Sequence, residues 1–238
     1  MHLSLRWPFL SWAYLARLCV VIFGLFLFAT GTVFIYRSGL GLDPWDVLHQ
    51  GISLHAPLSF GTASIVVGAL IIILGLFLKM YPGVATVLNM ALVGIFVDAE
   101  LRYGWLASVS TSSLFLRLIV NVVGVAIVGL GSAFYITPQL GVGPRDGLMM
   151  QLHVLTKVRI SIVRATIECL VLVIGFMLGG TVGIGTLIFA FGVGLAVEVS
   201  FALTKRLHLA EFLRVPVMQT GSKMKATSTK ESATLTLP

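Results

Sequence analysis

The chain alternates between long apolar stretches and short polar interruptions, and this pattern predicts its helices. A helix that crosses a bilayer takes roughly 20 apolar residues. Only 79–82 separates the second long stretch from the third, and only 179–181 separates the fifth from the sixth, which predicts two antiparallel hairpins. The six stretches lie at 13–36, 60–78, 83–103, 114–136, 160–178 and 182–203. We therefore expect an all-α, polytopic transmembrane helix bundle.

Two mixed segments, 37–59 and 137–159, are harder to place, because each opens with glycines and a proline and continues as a short helix. The helix predicted over 44–55 is roughly 18 Å long, and a hydrocarbon core is about 30 Å thick. Each half has three spans if this helix turns back and four if it crosses, and the count of basic residues left outside is the same in both cases. Crossing would put Asp43 and Asp46 in lipid, at about 2.5–3.5 kcal/mol for each ionised carboxylate. We therefore favour three plus three spans with two short broken or re-entrant helices.

An offset of 100 residues, without gaps, superposes the two halves of the chain. The offset matches arginine, proline and aspartate as well as glycine, and such matches are rare by chance in an apolar chain. The aligned pairs include Arg17 with Arg117, Gly24 with Gly124, Gly31 with Gly131, Gly41 with Gly141, Pro44 with Pro144, Asp46 with Asp146 and Gly94 with Gly194. We predict a duplication, with membrane repeat 1 over 13–103 and membrane repeat 2 over 114–203. Three spans in each repeat make the halves inverted.

Composition and charge place the protein in a membrane. Charged residues make up 11% of the chain, against about 25% in soluble domains, so a water-soluble fold is excluded. The net charge of +7 comes mainly from basic residues at segment ends and in the tail, as the positive-inside bias predicts, and it does not indicate nucleic-acid binding. We expect a cytoplasmic N-terminal segment, 1–12. We also expect a cytoplasmic, disordered tail, 205–238, whose sequence cannot bury a core.

Matching motifs open the two short helices, G-L-G-L-D-P-W-D at 39–46 and G-V-G-P-R-D-G at 141–147. Each has a capping position, a proline at the first helical position and an aspartate at the third. One interpretation is that the motifs only cap two broken helices. The other is that the two helix N-termini meet near the midplane and form a polar solute site. The residues of this hypothetical substrate site are Gly41, Asp43, Trp45, Asp46, Gly143, Arg145 and Asp146.

These paired motifs, together with the V-R-A-T-I-E segment at 163–168, resemble the YczE-like bacterial integral membrane proteins, which are distantly similar to YitT-type proteins. The resemblance covers about 13–203, the whole membrane part. It implies a multi-span protein of the bacterial cytoplasmic (inner) membrane, and it implies no settled activity. Asp43 departs from the small residue expected at its position.

Several charged residues within the apolar stretches are expected to form pairs, because an unpaired ion in a span is costly. Arg164 and Glu168 lie four residues apart on one helix and can bond to each other. In the inverted arrangement, two further pairs are predicted between the halves. These are Arg17 with Glu198 and Arg117 with Asp98.

The sequence favours a small-solute transporter or channel-like permease with a central site between the two short helices. The alternative is a non-transporting membrane scaffold or accessory protein that assists a partner complex. Partners expected from either interpretation are the lipid bilayer, a small polar solute for the transporter, and a second copy or another membrane protein. No phosphate-binding loop, nucleophile motif or set of metal ligands is found, so we expect no enzyme activity, cofactor or metal site.

Overall fold

A computed structural model describes residues 12–104 and 106–213 of the chain. The described residues are helical, with turns and loops between the helices and no strand. The helices are α1 (Trp12–Ser38), α2 (Pro44–His55), α3 (Phe60–Phe77), α4 (Val84–Tyr103), α5 (Leu114–Ile136), α6 (Pro144–Thr156), α7 (Ile160–Met177), α8 (Ile184–Arg206) and α9 (Leu209–Phe212), with a 3₁₀ helix at Ala107–Thr111. The predicted all-α bundle is confirmed.

Six of the described helices are long and apolar enough to cross a membrane: α1, α3, α4, α5, α7 and α8. The two short helices, α2 and α6, have 12 and 13 residues, about 18–20 Å at 1.5 Å per residue, too short to span alone. Asp43 starts α2 as predicted, since its side chain accepts hydrogen bonds from the backbone N–H groups of Trp45 and Asp46, at 2.8 and 3.0 Å. Gly143 is the N-cap of α6 and Pro144 its first residue.

The first long helices of the two halves, α1 and α5, cross closely through glycines. A Cβ placed on Gly24 would lie 2.9 Å from the carbonyl oxygen of Gly131, and one on Gly31 would lie 2.7 Å from that of Gly124. Small residues allow helix backbones to approach in this way in lipid. Because residue 24 meets 131 and residue 31 meets 124, the helices are antiparallel. Common ancestry of the halves stays a prediction.

Each glycine-rich loop lies on the first turn of the last long helix in the other half. The N–H of Gly185 donates to the carbonyl of Leu40 at 2.8 Å, and the N–H of Ala85 donates to that of Leu140 at 3.0 Å. Gly41 and Gly141 have φ values of +114° and +132°, which favour glycine. The loops therefore fix where α2 and α6 begin.

The helix starts and ends define two faces of the bundle. Arg117, at the start of α5, bonds to Ser38, at the end of α1, and Asp98, near the end of α4, bonds to Ser59, just before α3. We call this side the α3-start face. The opposite side, where α7 begins and α8 ends, is the α7-start face.

The halves differ in how their last two long helices pack. A Cβ on Gly94 of α4 would overlap the carbonyl oxygen of Gly61 on α3, so these helices touch at the backbone. The counterpart Gly194 on α8 has no heavy atom within 4 Å of an added Cβ. Helix α7 packs on α2, through Gly175 against Leu48, and has almost no contact with α8. The second half is open between α7 and α8.

The predicted flanking segments are only partly described. The N-terminal segment 1–12 lies outside the described residues except for Trp12, which starts α1. The start of the predicted disordered tail is helical instead, because Lys205 and Arg206 complete α8 and α9 follows. The rest of the tail, 214–238, lies outside the described residues.

Candidate solute-binding cavity

A cavity of about 410 Å³ lies between the N-terminal ends of the two short helices and the long helices around them. Its volume falls within the roughly 300–1,000 Å³ of typical small-molecule sites. The polar lining residues are Asp43, Ser64, Asn89, Ser132, Tyr135, Arg145, Asp146, Arg164 and Glu168. Most lining residues of the long helices belong to the halves of α4, α5, α7 and α8 nearer the α7-start face. The cavity therefore extends toward that face.

Both short helices contribute to a charged cluster at one wall of the cavity. The guanidinium of Arg145, from α6, lies 3.8 Å from the carboxylate of Asp43 and 3.6 Å from that of Asp46. The ring of His49 contacts Asp46 at 3.0 Å through Nδ1, and its Nε2 is buried without a hydrogen-bond partner. Two acids, one guanidinium and one imidazole thus share a site in which both acids are about 5% exposed.

Three of the four residues of the charged cluster lie at positions where the two halves differ, and the fourth, Asp46, matches Asp146. The counterparts of Asp43, Arg145 and His49 at the 100-residue offset are a glycine, a tryptophan and a methionine. The tryptophan, Trp45, lies under Arg145, with the guanidinium carbon 5.2 Å from the ring centroid. This cation–π arrangement stabilises the position of Arg145 in the cavity wall.

Asp146 faces the cavity with a weaker set of partners than its counterpart Asp46. Its carboxylate accepts a long hydrogen bond of 3.5 Å from the hydroxyl of Tyr135. Among the described residues, no ion pair includes Asp146. It is a carboxylate in a membrane cavity without a paired cation.

The predicted ion pair on α7 is present and lines the same cavity. Arg164 Nε donates to Glu168 Oε1 at 2.8 Å. Their side chains are 54% and 32% exposed because α8 does not cover this part of α7. The counterparts on α3, Ser64 and Gly68, also line the cavity but carry no charge.

The seven predicted substrate-site residues are not all at the cavity. Asp43, Trp45, Gly143, Arg145 and Asp146 line it. Asp46 is buried within the charged cluster and does not line the cavity. Gly41 lies against the first turn of α8, where an added Cβ would come 2.6 Å from Thr186 Oγ1.

The predicted pair between Arg117 and Asp98 is wrong, because each charge binds a helix end instead. Arg117 donates to the carbonyls of Ser38 and Gly39, both at 2.7 Å, at the end of α1. Asp98 accepts hydrogen bonds from the Ser59 hydroxyl and, at 2.8 Å, from the Gly61 N–H at the start of α3. Helix ends present unpaired backbone groups of opposite polarity, which attract these charges.

The predicted pair between Arg17 and Glu198 is also not formed in the described part of the chain. Arg17 Nε donates to the carbonyl of Leu213 at 3.0 Å, just after α9. Glu198 is exposed on α8 and takes part in none of the described ion pairs. The physical reason is that α1 packs on α4 and α5 and has almost no contact with α8, so Arg17 and Glu198 are not brought together.

The sequence analysis missed Glu100, a buried acid on α4. Its Oε1 accepts a hydrogen bond of 2.8 Å from the Thr30 hydroxyl, and its Oε2 is buried without a partner. An acid within a predicted span was the signal that could have found it. The repeat comparison hid it, because the matching residue is Ser200.

Comparison with known proteins places the chain among uncharacterized proteins of bacteria. Residues 15–201 match a family of unknown function, DUF6198. The uncharacterized membrane protein YczE of Bacillus subtilis is 34% identical over 212 residues, covering 89% of this chain and 91% of that protein. An uncharacterized protein of Haemophilus influenzae is 34% identical over 188 residues, covering 79% of this chain and 84% of that protein. The uncharacterized protein YyaS of Bacillus subtilis is 27% identical over 193 residues, covering 79% and 94%.

No solved structure matches the chain. The resemblance to YczE-like proteins that the paired motifs indicated is confirmed by the match to YczE over most of both chains. The family match extends from the start of the first long helix almost to the end of the last. The chain is therefore a membrane protein that belongs to the DUF6198 family, whose function is unknown.

Proposed function

We propose that the protein is a small-solute transporter of the bacterial cytoplasmic membrane, with its solute site in the cavity between the two halves. The observation that carries the proposal is the unequal closure of this cavity. Its α3–α4 side is shut, whereas its α7–α8 side is open. A cavity between antiparallel halves that is open at one face suits alternating access, in which the halves exchange their conformations.

The shut side supports this proposal because specific contacts hold α3 against α4. We call these contacts, which Ser59, Gly61, Gly94 and Asp98 make, the latch. Gly61 and Gly94 bring α3 and α4 into backbone contact. One turn further along α4, toward the α3-start face, the carboxylate of Asp98 accepts hydrogen bonds from the Ser59 hydroxyl and from the N–H of Gly61 at the start of α3. These contacts lie at the α3-start face and separate the cavity from it.

On the open side, between α7 and α8, the residues at the matching positions are in none of the described ion pairs. Glu198 on α8 is the counterpart of Asp98, and Arg159, the N-cap of α7, is the counterpart of Ser59. Their opposite charges would attract if α7 moved onto α8. Ser161 has a side chain where Gly61 has none, so we expect a wider helix approach, which a glutamate–arginine pair can still bridge.

The proposed orientation has both termini in the cytoplasm, following the positive-inside bias. Arg159, Lys157 and the end of α8 then lie at the cytoplasmic face, and the α7-start face is cytoplasmic. The structure would then represent the state that is open to the cytoplasm.

The proposal is tested by cross-linking α7 to α8 in reconstituted vesicles. In a chain with Cys19 and Cys169 replaced by serine, we would introduce Ser161→Cys with Gly194→Cys. A matched control pair, Ile162→Cys with Leu195→Cys, lies one residue further along on the exposed helix surfaces. We expect the first pair to form a disulfide under oxidation and the control pair to form none.

A charge test on the same cross-link examines the proposed pairing of Glu198 with Arg159. Glu198→Arg should lower the yield of the disulfide between residues 161 and 194, because it places like charges at the closing contact. Adding Arg159→Glu restores the opposite charges and should restore the yield. Equal yields in all three backgrounds would contradict this pairing.

Transport itself is measured as uptake of radiolabelled amines, amino acids and carboxylates into the same vesicles. Disulfide closure of α7 on α8 should block uptake, and reduction should restore it. Absence of uptake for every class, together with no cross-link, would contradict a transporter. It would instead favour the scaffold alternative, in which the exposed apolar surfaces of α7 and α8 bind a membrane partner.

A further inference from the structure

We infer that the cavity takes an organic ammonium cation, with Asp146 as its counter-ion. This inference rests on the proposed function, because it names the class of solute for the same cavity. Three features of the described residues support it: the charge balance, the unpaired carboxylate and the composition of the apolar wall.

The cavity and its charged cluster hold more acids than bases. Four carboxylates, Asp43, Asp46, Asp146 and Glu168, face two guanidinium groups, Arg145 and Arg164, which leaves a formal charge of −2 with His49 counted as neutral. The N-terminal ends of α2 and α6 contribute roughly +0.5 each, so about one negative charge remains. A cation would balance this charge, and an anion would add to it.

The excess charge is located at Asp146. Arg145 lies between the carboxylates of Asp43 and Asp46, and Arg164 is bonded to Glu168 at 2.8 Å. Asp146 accepts the 3.5 Å hydrogen bond from the Tyr135 hydroxyl and is in none of the described ion pairs. Since α6 places this carboxylate on the cavity wall, a bound cation can reach it without breaking either ion pair.

The rest of the wall is suited to an organic cation rather than a bare metal ion. Aromatic rings line the cavity, and the face of an aromatic ring attracts ammonium groups. Methionine side chains add an apolar surface that adapts in shape. The aromatic residues are Phe28, Trp45, Tyr135, Phe189 and Phe201, and the methionines are Met90, Met149 and Met150. In the described part of the chain, no three histidine, cysteine or acidic side chains are arranged so that they could hold a metal ion.

The inference is tested by calorimetric titration of the purified full-length protein in detergent micelles. The probes are tetraethylammonium, ethanesulfonate as an anion of similar apolar character, and sodium chloride as a competitor. We expect tetraethylammonium to bind, ethanesulfonate not to bind, and excess sodium chloride not to displace the ammonium ion. Tighter binding of ethanesulfonate, or no binding of tetraethylammonium, would overturn the inference without any variant.

Variants locate the binding at Asp146. Asp146→Asn should weaken tetraethylammonium binding by at least about tenfold, the factor that corresponds to 1.4 kcal/mol. Asp146→Glu keeps the charge and should retain most of the affinity. Glu211→Gln removes a carboxylate on α9, outside the cavity, and should leave the affinity unchanged. Unchanged affinity in a folded Asp146→Asn protein would overturn the role of Asp146.

Failure of this inference can be told apart from failure of the proposed function. Binding in micelles requires no transport, and uptake into vesicles is measured separately. If tetraethylammonium binds but is not taken up, the cation site stands and the transporter proposal fails. If an anion is taken up and tetraethylammonium neither binds nor crosses, the transporter stands and the cation assignment fails.

Discussion

Arg145 is the residue on which the charged cluster of the short helices depends. It is the cation closest to both Asp43 and Asp46, at 3.8 and 3.6 Å, and its side chain is 25% exposed. Removing one partner of a fully buried ion pair costs about 3–5 kcal/mol, because the other charge is left without compensation. Partial exposure and the moderate distances make the expected loss smaller here.

We therefore expect Arg145→Met to destabilise the protein by about 1–3 kcal/mol, the cost of leaving a buried polar partner unsatisfied. The measurement is the thermal unfolding midpoint in detergent. Adding Asp46→Asn should recover part of the loss, since it removes one of the stranded charges. Arg102→Met, at the exposed end of α4, is the control for the loss of a positive charge. If the double variant is no more stable than Arg145→Met alone, the ion-pair account is contradicted.

At the scale of the helices, the glycines on α4 and α8 have different surroundings although they occupy equivalent positions. Gly94 faces the backbone of Gly61, whereas Gly194 faces open space. The effect of one added methyl group therefore depends on which helix pair is shut. This difference gives a direct comparison between the two sides of the cavity.

We expect Gly94→Ala to destabilise the protein by forcing α3 from α4, because the added Cβ overlaps the carbonyl oxygen of Gly61. Gly194→Ala should leave the unfolding midpoint unchanged, since its Cβ meets no atom within 4 Å. It should nevertheless slow uptake, because the added methyl group hinders closure of α7 on α8. A normal uptake rate in Gly194→Ala would contradict the proposed closure.

At the scale of the whole molecule, the arrangement of helices could largely be predicted from the sequence. Lipid requires long apolar stretches, so the predicted spans agree closely with the helices; 114–136, for example, coincides with α5. One of the two interpretations of the matching motifs required the starts of the short helices to lie close together. In the structure they do, because Arg145 at the start of α6 lies 3.8 Å from Asp43 at the start of α2; that the two starts form a solute site stays a proposal.

Two features could not be predicted from the sequence: which groups the individual charged side chains bind, and the gap between α7 and α8 in the second half. The positions of Arg117 and Asp98 in the sequence predict how far each lies from the membrane surface. They do not show that Arg117 will bind the end of α1 and Asp98 the start of α3 instead of binding each other. The match between the two halves also does not show that α7 lies apart from α8. Gly94 and Gly194 occupy matching positions in the sequence, and they differ only in whether a neighbouring helix packs against them. Tertiary packing decides both features.

The unequal closure also predicts which side of the membrane reaches the cavity. In the Cys19→Ser, Cys169→Ser chain, Val197→Cys would place a thiol on the α8 wall of the cavity. A membrane-impermeant maleimide should label it in inside-out vesicles and not in intact spheroplasts, because the α3–α4 latch shuts the other side. Ser110→Cys, in the exposed 3₁₀ helix of the α3-start face, should show the reverse pattern.

Solute should change this labelling if the halves alternate. Binding that favours closure of α7 on α8 exposes the cavity to the opposite face, so tetraethylammonium should slow labelling of Val197→Cys from the cytoplasmic side and permit it from the outside. A ligand shifts such an equilibrium only by its difference in affinity for the two states. Slower labelling inside with none gained outside would mean that solute only fills the cavity. Labelling of Val197→Cys from both sides without solute would indicate a channel rather than a carrier.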